Sequence, residues 1–173
     1  IELNGVAHML NFSRDVTESK RAEARVRQLT SAVEQSPASI VITDTKGVIQ
    51  YVNPKFTQIT GYTYDEVIGQ NPRVLKGGYT TAEEYRQLWD TISVGGEWRG
   101  EFHNRRKDGR YFWESARISP ILNEHGVITH YLAVKEDITA RKQHERQQQA
   151  IITISTALRA ATTRQEMLSV LVD

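Results

Sequence analysis

One run of residues occurs twice in this chain, and its spacing limits what the chain can fold into. His, Leu, Asp, Thr, Lys and Glu recur at the same relative positions in residues 8–23 and 130–145, 122 positions apart. A repeat at this spacing indicates tandem modules of domain size. Too few residues precede the first copy for a complete domain. We therefore assign residues 1–14 to the end of a preceding domain, where they would supply its last strand, and residues 36–137 to a complete domain.

The residues between the two copies predict a mixed α+β domain. Pro54 and two capping boxes, which start at Thr63 and Thr81, predict short helices in its middle. Strand-like runs lie on both sides of these helices, at 39–43, 48–52, 98–106, 111–122 and 127–135. We expect a five-stranded antiparallel sheet with short helices over one face, flanked by long connecting helices.

The two connecting segments have apolar residues at heptad spacing. In the first segment, residues 15–35, these are Ala22, Val26, Leu29 and Val33. This seam predicts a homodimer through a parallel coiled coil, unless the helix folds back on its own sheet. The second segment, residues 138–161, is predicted to be an exit helix. A capping box from Thr163 to Glu166 predicts that a new helix begins within residues 162–173.

Composition and charge exclude several classes of function. The 22 basic and 21 acidic residues give a net charge of +1, so nucleic-acid binding is not expected. The chain has no cysteine, which excludes disulfides, cysteine-ligated metals and thiol chemistry. Because no apolar run is long enough to cross a bilayer and no signal-peptide pattern is present, we expect a cytoplasmic fragment without membrane contact.

Several spaced motifs resemble those of the PAS sensory domain. They are Ile49-Gln50-Tyr51-Val52-Asn53-Pro54, Thr60-Gly61-Tyr62, Gly69-Gln70-Asn71-Pro72, Trp98-Arg99-Gly100-Glu101, Arg106-Lys107-Asp108-Gly109 and Asp137-Ile138-Thr139. Residues 1–23 resemble the end of a preceding PAS domain, and residues 151–173 resemble the first helices of a GAF domain. This order is similar to the input half of bacterial sensor histidine kinases and diguanylate cyclases.

The resemblance implies a signal-input module with no catalytic activity of its own. Such a module relays the state of a ligand or partner through its exit helix to a kinase or cyclase domain outside this chain. Two alternatives stay open: a redox-sensing PAS domain that binds flavin (FAD), and a ligand-free module for dimerisation or docking. No catalytic constellation or metal-ligand spacing is visible in the sequence.

The same resemblance constrains the cofactor. The photochemical LOV branch has a reactive cysteine where this chain has Pro72, so cysteinyl-flavin photochemistry is excluded. FAD-binding PAS domains share the 104–108 stretch and a tryptophan like Trp98, which keeps flavin as a candidate. Haem is not supported, because the predicted long helix has no histidine. The resemblance implies a small-molecule pocket formed by Asn71, Arg73, Trp98, Phe102, Asn104, Glu114, Tyr131 and Lys135.

Two residues are predicted to relay the signal from the sheet to the exit helix. Asp137 and Thr139 lie where the last strand gives way to this helix, and both side chains can cap a helix. Any movement of the sheet must pass through this junction. The alternative is that both residues serve only the fold.

Glu114 and Lys135 are predicted to pair. If Leu122 lies opposite Val127, these two residues lie directly across from each other, and alternation places both on the inner face. Opposite charges at such a place need each other, because a lone buried charge is very costly. The pair would seal an empty pocket or hold a polar ligand, and it would disfavour flavin. The alternative is a solvent-facing pair that contributes little.

Overall fold

The computed structural model of the chain describes the backbone of residues 2–170 and the side chains of residues 18–159. Its helices are α1 (Glu2–Glu34), α2 (Pro54–Thr60), α3 (Tyr64–Val67), α4 (Ala82–Ser93) and α5 (Thr139–Val170), with a 3₁₀ turn at Pro72–Leu75. Its strands are β1 (Ser39–Asp44), β2 (Ile49–Val52), β3 (Trp98–Arg105), β4 (Tyr111–Leu122) and β5 (Ile128–Asp137). The predicted fold class is confirmed.

The five strands form one antiparallel sheet in the order β2-β1-β5-β4-β3. The first and last parts of the domain thus meet at the centre of the sheet, where β1 pairs with β5. Alternation along each strand directs one set of side chains towards the short helices, and this inner face carries the core. The core includes Val41, Phe56, Val67, Leu88 and Phe102.

Asn53 fixes the point where the chain leaves β2 and enters α2. Its side-chain amide donates to the carbonyl oxygens of Val33 and Ala38, at 3.1 and 2.9 Å. Its side-chain oxygen accepts from the backbone N–H groups of Ile40 and Phe56, at 2.9 and 3.2 Å. One buried side chain therefore joins the end of α1, the start of β1 and the first turn of α2.

The structure differs from the sequence prediction at both ends. The strand expected within residues 1–14 is absent, because residues 2–34 form the single helix α1. A strand needs a partner strand for its backbone groups, and in the structure these groups bond within the helix instead. The helix start expected at Thr163 is also wrong, because α5 continues to Val170 with no Gly or Pro to stop it. Residues 171–173 of the predicted GAF-like segment lie outside the described residues.

The predicted heptad seam of α1 does not cover the sheet. Ala22 is exposed, Val26 and Leu29 are 64% and 60% exposed, and Val33 is half-buried. The α5 helix has a second apolar set at Ile151 and Ile154, which are 64% and 59% exposed. The alternative in which the first helix folds back on its own sheet is therefore not what the structure shows. In the described part of the chain, no helix is long and apolar enough to cross a membrane.

Replacing Asn53 tests whether this side chain holds the entry of the domain together. Asn53→Ala leaves two carbonyl oxygens and two N–H groups without this partner, so the free energy of unfolding should fall by about 2–3 kcal/mol. Urea denaturation measures the change. Asn123→Ala is the matched control, because Asn123 makes its hydrogen bonds in an exposed turn where water can replace it. Equal losses in the two variants would contradict this role.

Candidate functional site

A cavity of about 520 Å³ lies between the inner face of the sheet, α4 and the 3₁₀ turn. Four aromatic side chains, Tyr85, Trp89, Phe102 and Tyr131, line it together with aliphatic ones such as Leu88. Trp89 stands edge-on to Tyr131, with their ring centroids 5.7 Å apart. A cavity of this size and lining is typical of small-molecule sites.

Six of the eight predicted pocket residues line the cavity: Asn71, Arg73, Phe102, Asn104, Tyr131 and Lys135. The other two lie behind its wall. Trp98 packs on Phe102, with their ring centroids 5.1 Å apart. Glu114 is 0% exposed and contacts the cavity only through its neighbours.

The floor of the cavity contains a buried ion pair. Lys135 Nζ lies 3.1 Å from Glu114 Oε2, and the amide group of Asn104 donates to the same oxygen at 2.8 Å. Lys135 is only 6% exposed, so both charges are shielded from bulk water. Glu114 Oε1 is buried and has no hydrogen-bond partner among the described residues. The side chains do meet on the inner face, and the solvent-facing alternative is not observed.

The predicted register of this pair is wrong by two residues. Lys135 lies opposite Ala116, and Glu114 lies opposite Asp137. The cause is the turn after β4: Asn123 and Val127 bond to each other, so Leu122 pairs with Ile128, and a bulge follows at Ile121. Side chains alternate between the faces of a strand, so a register shift of two residues keeps Glu114 and Lys135 on the same face. The two side chains therefore still reach each other diagonally.

The mouth of the cavity is cationic. Lys46, Arg73 and Lys76 line it, and none of the three forms an ion pair with a carboxylate of the described residues. Asn71 holds the rim, since its amide donates to the carbonyl oxygen of Gly47 at 2.9 Å and its oxygen accepts from the Arg73 N–H at 3.0 Å. Of these three cations, only Arg73 was predicted from the sequence.

Other cavity residues were missed because they come from distant parts of the chain. Trp89 lies on α4, where a large aromatic side chain would ordinarily pack into the core. Instead its ring lies against the β1–β2 turn, about 3.3 Å from where a Cβ at Gly47 would stand. Gly47 has a φ of 78°, a left-handed conformation that favours glycine. The glycine therefore serves both the turn and the close approach of the tryptophan.

Asp137 and Thr139 join the sheet to the exit helix. Asp137 Oδ1 accepts from the Thr139 N–H at 2.9 Å, and its Oδ2 lies 2.7 Å from the Arg106 guanidinium. The Thr139 hydroxyl accepts from the Trp113 N–H at 3.0 Å, and the Ile138 N–H donates to the Trp113 carbonyl at 2.9 Å. The start of α5 is thus bonded to β4 as well as to β5.

The surroundings of Asp137 favour its ionised form. Partial burial by itself raises the pKa of this carboxyl, but hydrogen bonds from Thr139 and Arg106 and the charge of Arg106 outweigh it. The net effect is a pKa below the usual value. Among the described residues, no group of three or more His, Asp or Glu side chains could hold a metal ion.

Comparison with known proteins places the chain in a family. A PAS domain model matches residues 37–140, which is more than half of the chain. The chain therefore belongs to the PAS domain family. It has the signal-input role of such sensory domains and is not itself catalytic.

The relatives are regulatory proteins. The chain is 39% identical over 107 residues to a nitrogen fixation regulatory protein of Klebsiella oxytoca, covering 62% of this chain and 22% of that protein. It is 32% identical over 114 residues to blue-light-activated histidine kinase 1 of Erythrobacter litoralis, covering 66% and 32%. The chain thus spans between about a fifth and a third of these relatives.

A solved structure shares the fold. An RNA-binding light-oxygen-voltage receptor superposes with a TM-score of 0.65 at 30% identity, covering 72% of this chain and 36% of that one. A PAS domain from Colwellia psychrerythraea gives a TM-score of 0.62 at 27% identity, covering 66% and 98%.

The lowered pKa of Asp137 predicts a specific acid sensitivity. A carboxyl whose pKa is lower in the folded state stabilises the fold above its unfolded pKa of about 3.9, and this contribution disappears as pH falls through the folded value. At pH 7, Asp137→Asn should cost about 1 kcal/mol, since a partly exposed ion pair is lost. As the pH falls through the folded pKa of Asp137, below its unfolded value, the stabilities of the variant and the parent should converge.

Urea denaturation of both proteins across this pH range measures the difference. Asp90→Asn, at an exposed carboxylate on α4, is the control and should follow the parent at every pH. A cost of Asp137→Asn that stays constant down to pH 2 would refute the assignment.

Proposed function

We propose that this PAS domain senses through an aromatic ligand with an anionic tail, and that the ligand is a flavin nucleotide, FAD. The proposal rests on the polarity of the cavity: three cations without carboxylate partners lie at its mouth, and the interior is lined by aromatic and aliphatic side chains. Cations without carboxylate partners favour an anionic ligand group such as a phosphate. The aromatic walls suit a planar ring.

The floor of the cavity offers groups for the edge of such a ring. The amide oxygen of Asn104 accepts no hydrogen bond from the described residues, and Lys135 has donors beyond the one directed at Glu114. An acceptor beside a donor fits a ring edge in which a carbonyl adjoins an N–H, as in flavin. The ion pair therefore supports a polar ring edge, where the sequence alone suggested that it would disfavour flavin.

The resemblance to flavin-binding branches also supports FAD. Relatives and neighbours include a blue-light-activated kinase and light-oxygen-voltage proteins. Because the chain has Pro72 and no cysteine, a flavin here would not act through a cysteinyl adduct. When bound, it would supply redox chemistry, while the residues of the chain orient it and respond to it. A ligand-free docking module would not need a cavity of this size, so the cavity favours a ligand-binding domain over that alternative.

We infer that the response leaves the domain through Asp137 and Thr139 and along α5. Their hydrogen bonds to β4 and Arg106 make the helix start sensitive to the position of the sheet. In the parent protein, residues 1–14 would end a preceding PAS domain and residues 162–173 would begin a GAF domain. The output would be a cytoplasmic histidine kinase or diguanylate cyclase. The exposed seams of α1 and α5 support a homodimer.

FAD binding tests the proposal directly. The purified chain should bind FAD, giving bound flavin absorbance and quenched flavin fluorescence. Arg73→Gln/Lys76→Gln should raise the Kd for FAD at least about tenfold, because two cations at the mouth are lost. Riboflavin, which has no phosphate, should bind weakly to both proteins.

Lys20→Gln/Arg25→Gln is the charge-matched control and should leave the Kd unchanged, since both side chains are exposed on α1 and neither lines the cavity. Asp137→Ala should bind FAD normally, while hydrogen exchange at the start of α5 should no longer respond to it. A parent chain that does not take up FAD from an excess in solution would refute the flavin assignment.

Dimerisation can be tested on α1. Light scattering at micromolar concentration should give a dimer for the chain and a monomer for Leu29→Glu, because a buried charge in the seam is costly. Arg27→Glu changes a residue outside the seam on the same helix and should stay dimeric. A parent chain that is monomeric, or a dimer that survives Leu29→Glu, would exclude dimerisation through this seam.

A further inference from the structure

The buried carboxylate of Glu114 depends on a residue that also faces the cavity. Glu114 is fully buried, and among the described residues Lys135 is the only cation that pairs with it. Lys135 lines the cavity, so its ammonium group can reach a ligand there, whereas Glu114 cannot. A ligand acceptor and Glu114 therefore share one cation, and a ligand oxygen that pulls the ammonium group towards the cavity weakens its contact with Glu114.

Loss of Lys135 would leave Glu114 poorly compensated. Only the neutral amide of Asn104 would remain on Oε2, and Oε1 already has no partner among the described residues. A buried charge without its counter-ion is strongly unfavourable. A local opening that admits water to the carboxylate relieves this cost.

The backbone around Glu114 is the part of the sheet that holds the exit helix. Glu114 lies opposite Asp137 in the β4–β5 pairing. Its neighbour Trp113 accepts from the Ile138 N–H at 2.9 Å and donates to the Thr139 hydroxyl at 3.0 Å. An opening of β4 at Glu114 would therefore disturb the two hydrogen bonds that join β4 to the start of α5.

We propose that the Glu114–Lys135 pair is a ligand-operated latch on the exit helix. With the pair closed, β4 holds Ile138 and Thr139. A ligand that presents an anionic or carbonyl oxygen to Lys135 draws the ammonium away, and the unpaired Glu114 loosens the Trp113–Glu114 segment. The ligand acts because it binds the two states of the latch with different affinity. The proposal deepens the relay described above, but the latch itself can be tested without any ligand.

Hydrogen exchange of the ligand-free chain gives the first test. Lys135→Met should speed exchange at the amides of Trp113 and Ile138 about tenfold, because the buried carboxylate loses its counter-ion. The Asn53 amide, which donates to Ile40 across β1 and β2, should not change. In Glu114→Gln/Lys135→Met, exchange at both amides should return to within about twofold of the parent, since no buried charge remains.

Lys76→Met is the matched control, because it removes a cation from the same cavity without touching a carboxylate, and it should leave all three amides unchanged. If Lys135→Met does not fold, Lys135→Gln keeps a donor at this place and should show a smaller rise confined to the same two amides. A rise spread over the whole sheet, no rise at all, or failure of the double variant to restore slow exchange would overturn the latch.

FAD then tests how the latch is operated. In the parent chain, saturating FAD should speed exchange at Ile138, whereas Glu114→Gln should bind FAD and show no such rise. An equal rise in both would overturn the latch. If the parent does not bind FAD, the flavin assignment fails, and the ligand-free comparison still decides the latch.

Discussion

A buried carboxylate on the inner face of the sheet is the constraint on which the site depends. Glu114 has no access to water, so the surrounding residues must supply its counter-charge and its hydrogen bonds. Asn104 and Lys135 do so from the two strands on either side of β4. Both residues also line the cavity. The need to satisfy one buried charge thus determines which polar groups lie at the cavity floor. The remaining walls are apolar and enclose the volume.

The fold and the inner face could be predicted from the sequence because they depend on local patterns. Alternation along β4 and β5 was sufficient to put Glu114 and Lys135 on one face, and the burial of both agrees with it. The register could not be obtained in the same way. It depends on the Asn123–Val127 turn and the bulge at Ile121, where a shift of two residues preserves every face and leaves no trace in the pattern.

The site was only partly predictable, for a related reason. Arg73 was found because it lies in a recognisable motif, but Lys46 belongs to a hairpin turn and Lys76 follows a 3₁₀ turn. Neither has a local signal that points to a cavity, and only the folded chain brings them to one mouth. The prediction of a strand before residue 15 was wrong for the opposite reason. The local pattern was present, but a strand must also pair with another strand, and a local pattern carries no information on that pairing.

The position of Lys135 explains why a change in the cavity would affect both connecting helices. Lys135 lies opposite Ser39, the first residue of β1, and two residues before Asp137. On the entry side, Asn53 bonds to the carbonyl oxygens of Val33 in α1 and of Ala38 just before β1. On the exit side, Asp137 and Thr139 hold the start of α5. A displacement of β5 at Lys135 therefore acts within a few residues of both junctions. Because each junction carries a helix with exposed apolar residues, a small shift of the sheet would change how the two seams are presented to a partner.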